Sequence, residues 1–149
     1  MGVMTERSGV THPPELPEAI GDALFRLARA LDRDMAAAAE PEGLTPLLAR
    51  ILRNIGEAES QRQLGHALGV GPAQISVATS ELVRRKLVER KADPGDHRLR
   101  RPQLTAKGRA AVARIDARTA ASSPVAEALD EKQMRALLKT LERIDAANR

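Results

Sequence analysis

Residues Ser60 to Thr105, SQRQLGHALGVGPAQISVATSELVRRKLVERKADPGDHRLRRPQLT, constrain the fold more than any other stretch of the chain. Ser60-x-x-Gln63 is a capping-box pattern, opening a short helix with Leu64, Ala67 and Leu68 on its inner side. Gly69 supplies a left-handed exit, and Gly71-Pro72 restarts a helix within two residues. In that next helix Ile75, Ala78, Thr79 and Leu82 recur at i, i+3, i+4 and i+7 and should face a core. Two candidate strands, Leu87 to Lys91 and Leu99 to Leu104, then flank the turn-rich tip Ala92-Asp93-Pro94-Gly95-Asp96. Pro102 cannot donate to a ladder, so the second strand is expected to be an edge or irregular there. Helix, tight turn, helix and hairpin are the element order of a winged helix-turn-helix, a shape that sets one helix in the DNA major groove.

The charge is concentrated in the same place. Arg84, Arg85, Lys86, Arg90, Lys91, Arg98, Arg100 and Arg101 face only Glu89, Asp93 and Asp96, eight cations against three anions, a net +5. The whole chain is only +4, so everything outside that segment sums to −1. A localised positive charge is the electrostatic footprint of a nucleic-acid binder. Phe25 is the single aromatic residue, which argues for a mostly helical protein and removes the stacking platforms that single-stranded binding needs. Cys is absent, which excludes disulfides, thiol redox sensing and Cys-ligated zinc. No apolar run approaches the ~18–20 residues that span a bilayer, and the N-terminus lacks an apolar signal core. A cytoplasmic protein with no membrane contact is the expectation.

The flanks read as helices. Residues 1–15 are polar, end near His12-Pro13-Pro14, and are expected to form a flexible arm. Leu16, Ile20, Leu24, Leu27 and Leu31 then predict a first helix from about Pro17 to Ala39, ended by Pro41 and Gly43. Thr45 can cap a second helix with Pro46 in its first turn and Leu48, Ile51, Leu52 and Ile55 on one face; Gly56 closes it. Thr105 caps a fifth helix to about Ser122, with Pro124 after its end. Asp130-x-x-Gln133 caps a sixth, in which Met134, Leu137, Leu138, Leu141 and Ile144 form a near-heptad stripe.

With the apolar stripe of the fourth helix turned inward, Ala73, Val77, Ser80 and Arg84 point outward, flanked by Gln74 and Glu81 on one side and Ser76 on the other. Short uncharged side chains permit close approach to a groove. Gln74 can read adenine, and Ala73 and Val77 can touch thymine methyls. Arg84, Arg85 and the helix start at Ser60, Gln61 and Arg62 are placed on phosphates. In the wing, Asp96, His97, Arg98, Arg100 and Arg101 form the candidate contact set, because Arg at a hairpin tip can enter the narrow minor groove. Asp96 is expected to brace an Arg rather than meet DNA. The bland alternatives are a merely solvated helix face and an ordinary solvated hairpin. His12, His66 and His97 lie far apart without an i, i+4 partner, so no metal site is expected. No nucleophile elbow and no phosphate-binding Gly loop is present, so neither catalytic residues nor a cofactor are assigned.

On these residues the chain resembles the MarR family of transcriptional regulators. The likeness runs from about Leu16 to Ile144 and is sharpest from Leu44 to Arg109. It is carried by Leu44-Thr45-Pro46, Ser60-Gln61 with Leu64, Leu68-Gly69-Val70, Pro72 with Ile75, and Leu82. Leu87-Val88-Glu89-Arg90, Asp93-Pro94-Gly95-Asp96 with Arg98, and Leu104-Thr105-Ala106-Lys107-Gly108-Arg109 complete it. Departures are Lys86 where the family commonly has Gly, His97 where Arg is frequent, Glu59 where an apolar residue is common, and Pro102 in the second strand.

The resemblance implies a mainly α fold with a small β-wing, and a homodimer reading a pseudo-palindromic stretch of double-stranded DNA. Residues 44–105 would form the winged helix-turn-helix. Residues 16–43 and 106–149 would supply dimerisation helices, through Leu16, Ile20, Leu137, Leu138, Leu141 and Ile144. A possible small-molecule effector would occupy a cleft lined by the first, second and fifth helices, where Arg26, Arg29 or Arg50 could meet an anion. The function so implied is that of a repressor released by its effector. A winged-helix protein-interaction module without DNA binding is the alternative, and a basic membrane-surface binder a third.

Overall fold

The computed structural model describes residue 13, residues 15–56 and residues 60–147. The expected arm at 1–15 and the departure at Glu59 lie almost wholly or wholly outside these residues. Seven α-helices and one antiparallel hairpin follow in the order α1 (Glu15–Ala39), α2 (Pro46–Asn54), α3 (Gln61–Leu68), α4 (Pro72–Arg84), β1 (Val88–Ala92), β2 (Arg100–Leu104), α5 (Ala106–Ala121), α6 (Pro124–Ala128) and α7 (Glu131–Ala146).

Each helix begins where its local chemistry allows. Thr45, Ser60, Thr105, Ser123 and Asp130 each accept the backbone N–H three residues on, which satisfies one of the amides a helix start leaves open. Asp130 and Gln133 complete a reciprocal capping box. α1 starts two residues earlier than the spacing predicts, and it runs into a 3-10 turn at Glu40–Glu42 that Gly43 ends with φ +67°. The short α6 was not expected: a Pro after a helix reads as a stop, but behind the Ser123 cap Pro124 occupies a first-turn position.

The core lies between α1, α2, α3, α4, α5 and the base of the wing. Ile51, Leu52, Leu64, Ile75, Leu82, Val88 and Ile115 are its fully enclosed large side chains. The inner face expected for α4 (Ile75, Ala78, Thr79, Leu82) is buried throughout. In α3 the inner side differs from expectation: Leu64 and Gly65 are buried, Leu68 is half-buried and Ala67 is exposed. Close packing explains it. A Cβ on Gly65 would stand 2.7 Å from the Val70 carbonyl oxygen and 3.3 Å from Ile75, so α4 approaches α3 through the glycine.

The hairpin pairs Val88 with Leu104 through Ala92 with Arg100. Pro102 opposite Arg90 does not disturb it: of the two expectations, edge or irregular, the edge holds, because a two-stranded hairpin has no inner strand. The Thr105 amide bonds to Leu87 and the Asp93 amide to Leu99. These two pairs place the ladder bonds at odd-numbered β1 positions, so the 90–102 pair is a non-hydrogen-bonded one and Pro102 has no N–H to lose there.

The junction between wing and α5 explains the Leu104-to-Arg109 run residue by residue. The Thr105 hydroxyl donates to the carbonyls of Lys86 (2.8 Å) and Leu87 (3.2 Å) and accepts the Gly108 amide. Lys107 reaches the Arg85 carbonyl and Arg109 the Leu104 carbonyl. A Cβ at Gly108 would fall 2.0 Å from the Leu87 carbonyl oxygen, so no other residue fits.

Lys86 adopts φ +61°, the left-handed region where the family commonly has Gly. Lys86→Gly should therefore raise stability by about 1 kcal/mol in urea unfolding, with an unchanged m-value. Gly108→Ala should lower stability by about 2–3 kcal/mol, because the helix must back away from Leu87. A neutral Gly108→Ala would show that α5 is not held against the wing.

Candidate nucleic-acid interface

α4 presents the face expected of it. Ala73, Gln74, Ser76, Val77, Ser80 and Arg84 are all exposed, and Val77 at the centre is 72% accessible. An exposed β-branched residue amid small polar neighbours suits a groove floor bearing thymine methyls. Ser60 uses its hydroxyl oxygen to cap α3, while Gln61 is half-buried and Arg62 exposed beside it.

The arginines divide into held and free. Glu81 grips Arg84 through two bonds (2.8 and 2.6 Å) and Arg85 through a third (2.6 Å). These bonds, Arg84 first, bring the Glu81 carboxyl down from 4.5 to about 2. Arg84 remains largely exposed. Arg85 is half-buried and also donates to the Gly43 carbonyl, away from the α4 solvent face.

In the wing, Asp93 is buried and organises the tip. It accepts the amides of Gly95 (2.7 Å) and Asp96 (3.3 Å) and pairs with Arg101. The Gly95 amide and then the Arg101 charge pull its pKa below the ordinary carboxylate value. This corrects one expectation. Asp96 does not brace an arginine side chain; its carboxylate accepts the Arg98 amide (3.0 Å) and shapes the turn. Arg101, a member of the expected contact set, pairs with Asp93. Carboxylate-to-amide closure two residues on is the natural Asx geometry, so Asp93-Pro94-Gly95 carried that signal in the sequence. His97, Arg98 and Arg100 are exposed, and neither guanidinium of Arg98 or Arg100 meets an acceptor among the described residues.

One residue of consequence was not foreseen. Glu42, in the 3-10 turn, accepts two bonds from Arg114 (2.9 and 2.7 Å) and one from Arg118 (2.9 Å), while Arg118 also donates to the Ala38 carbonyl. Its partners lie more than seventy residues away in sequence, so no local pattern marks it. His66 and His97 are on the surface of separate elements, and His12 is outside the described residues. Among the described residues no group of three or more acidic or His side chains could hold a metal. No helix there is long and apolar enough to cross a membrane.

Comparison with known proteins bears on this arrangement directly. The MarR family model matches residues 42–99, which run from the 3-10 turn through both helix-turn-helix helices into the wing. Over that segment the chain matches the MarR family. Among solved structures, the fold is similar to CouR from Rhodococcus jostii RHA1 bound to p-coumaroyl-CoA (TM-score 0.74, 27% identity, 89% of this chain and 96% of that one). It is also similar to the transcriptional repressor CouR bound to a 23-mer DNA duplex (TM-score 0.69, 28% identity, 91% and 99% covered). A third is a Mycobacterium tuberculosis MarR-family protein in complex with p-aminosalicylic acid (TM-score 0.62, 29% identity, 83% and 96% covered). No curated protein matches the chain. The match supports a DNA-binding transcriptional regulator, the non-enzymatic role of that family.

The Glu42 cluster makes acid stability testable. Arg114 foremost and then Arg118 lower its pKa from 4.5 to about 2. A depressed carboxylate stabilises the fold fully above its unfolded value and loses that contribution as pH falls through the folded one. Urea midpoints should fall between pH 4.5 and 2, and Glu42→Gln should flatten this limb while lowering stability at pH 6. An unchanged acid limb in the variant would assign the loss to other carboxylates.

Proposed function

We propose that this regulator acts as a cytoplasmic homodimeric repressor of a pseudo-palindromic operator and is released by a small-molecule effector. The observation that carries the DNA reading is the solvent face of α4: uncharged at its centre, with the free Arg98 and Arg100 on the neighbouring wing. On this reading residues 44–105 are the DNA-binding unit. Ala73, Gln74, Ser76, Val77 and Ser80 face bases; Arg84 and the α3 start at Ser60, Gln61 and Arg62 face phosphates. Arg98 and Arg100 enter the minor groove beside His97, over a turn built by Asp96 and fastened by Arg101. The repressor CouR bound to a DNA duplex supports the same use of the fold.

Dimerisation is supported by apolar surface that the single chain leaves open. Leu16 and Ile20 on α1 are about half exposed, as are Leu138 (58%) and Ile144 on α7, and α7 buries no residue. A helix with an apolar stripe and no buried residue needs a partner surface. Residues 16–43 and 106–149 would supply it, Leu137 and Leu141 included. Two open clefts share Leu31 and Arg50 as walls. One, of about 450 Å³, lies between α1, α2 and α5 and includes Met35, Arg53 and Asp116; the other, of about 470 Å³, includes Phe25, Arg29 and Ala67. Their size suits a small organic ligand. Arg50 is already held by Asp32 and the Leu31 carbonyl, which leaves Arg29 as the freer cation. The relatives bound to p-coumaroyl-CoA and to p-aminosalicylic acid support an effector role for such clefts.

A gel shift on duplexes enriched from a random library by the full chain should show retardation that weakens steeply with salt. No retardation at low salt would favour the protein-interaction module instead. Arg98→Ala should weaken the enriched duplex by about tenfold and a scrambled one by less. Equal losses would leave Arg98 a phosphate contact. Ile20→Glu or Leu138→Glu should shift sedimentation to a monomer. A dimer surviving both changes would place the interface elsewhere.

A further inference from the structure

We infer that Arg85 is a positioning residue for DNA recognition: its guanidinium sets where the recognition helix stands relative to the dimer helices, and it does not touch DNA. The inference rests on reading the protein as a dimeric DNA-binding regulator. By residue type and place, Arg85 looks like a phosphate contact equivalent to its neighbour Arg84. Their surroundings differ. The Arg84 side chain is 71% exposed and its partner Glu81 is on the same helix. Arg85 is 34% exposed and bridges two elements, with Nε on Glu81 Oε1 and Nη1 on the Gly43 carbonyl. Its own carbonyl accepts Lys107 Nζ from α5. Reaching a phosphate would require breaking both side-chain bonds, one of them charge-assisted, with a planar fork whose geometry they already satisfy.

The other end of the bridge explains why it matters. Gly43 is the left-handed residue between α1 and α2, and a Cβ there would lie 3.7 Å from Arg85 Nη1, so the guanidinium rests against this bend. The preceding residue, Glu42, is clasped by Arg114 and Arg118 of α5. Arg85, Glu42, Lys107 and Arg114 line one small cleft of about 260 Å³. The C-terminal end of α4 is thus fastened to the α1–α2 bend, and that bend to α5. A dimer built on α1 and the C-terminal helices carries this fastening twice, once beside each recognition helix. Loosening it should blur the distance between the two helices, and with it the discrimination between operator half-site spacings.

The test uses the full chain and two duplexes: one enriched from a random library by the wild type, and the same duplex with one base pair inserted between half-sites. Affinities are read by fluorescence anisotropy across a salt series for wild type, Arg84→Ala, Arg85→Ala, Arg85→Lys and Glu42→Gln. Arg85→Ala should lose about two- to thirtyfold on the enriched duplex, and its penalty for the inserted base pair should shrink by a similar factor. Its salt slope should stay at the wild-type value. Arg85→Lys keeps the charge but not the fork and should behave like Arg85→Ala, as should Glu42→Gln on the far side of the bend. Arg84→Ala should instead flatten the salt slope by roughly 0.9 per phosphate, about two per dimer, and leave the spacing penalty intact. A flattened slope with equal losses on both duplexes for Arg85→Ala would overturn the inference, as would wild-type behaviour of Arg85→Lys. Failure of the wild type to enrich any duplex, or a monomer in sedimentation, would instead overturn the reading beneath it.

Discussion

The Leu87 carbonyl is the point on which the winged helix-turn-helix turns. It accepts both the amide and the hydroxyl of Thr105, and the bare Cα of Gly108 packs against it. The chain passes this point twice: leaving α4 through the left-handed Lys86, and returning from the wing into α5. One backbone oxygen therefore relates α4, the wing and α5. A wing of only two strands has no sheet to stiffen it, so its direction comes from this junction and from Asp93 at the tip. Leu87 and Val88, buried at its root, tie the junction to the core beneath α4.

Carboxylates sort the arginines into work and structure. The segment from Arg84 to Arg101 is strongly basic, but its charge is not uniformly available. Glu81 holds Arg84 and Arg85, and Asp93 holds Arg101. Lys91 pairs with Glu89, and among the cations without such a partner Arg98 and Arg100 stand at the end of a lever whose base is fixed. Arg84 is intermediate, because an exposed pair exchanges cheaply for a phosphate. Away from the interface Glu42 plays the corresponding part for α5, taking Arg114 and Arg118. A net charge counted along a chain is an upper bound on what a polyanion meets.

Most of the architecture was legible because its signals are local. Capping residues at Thr45, Ser60, Thr105 and Asp130, the glycines at 69 and 71, and the i, i+3, i+4, i+7 stripe of α4 act within one or two turns. The outward face of α4 followed from that stripe by geometry. Errors fell where a non-local partner decides. Ala67 and Gly65 exchanged places in α3 because the Val70 carbonyl and Ile75 fill the space beside the glycine. For Pro102 the expected edge position held, and register, which the sequence does not print, put it where no ladder bond is lost. Asp93 rather than Asp96 turned inward and took an arginine, because charge spacing along a hairpin does not say which carboxylate does so.

By itself, then, the sequence determined a mainly α chain, a helix-turn-helix with an uncharged outer face, and a basic wing, since each rests on periodicity, capping and turn chemistry written over a few residues. Only the tertiary structure decided which of the cations are free. Arg85, Arg101, Arg114 and Arg118 are spent on Gly43, Asp93 and Glu42, partners from eight to more than seventy residues distant along the chain. An ion pair is chosen by distance in space, and folding brings together groups that the order of the chain keeps apart.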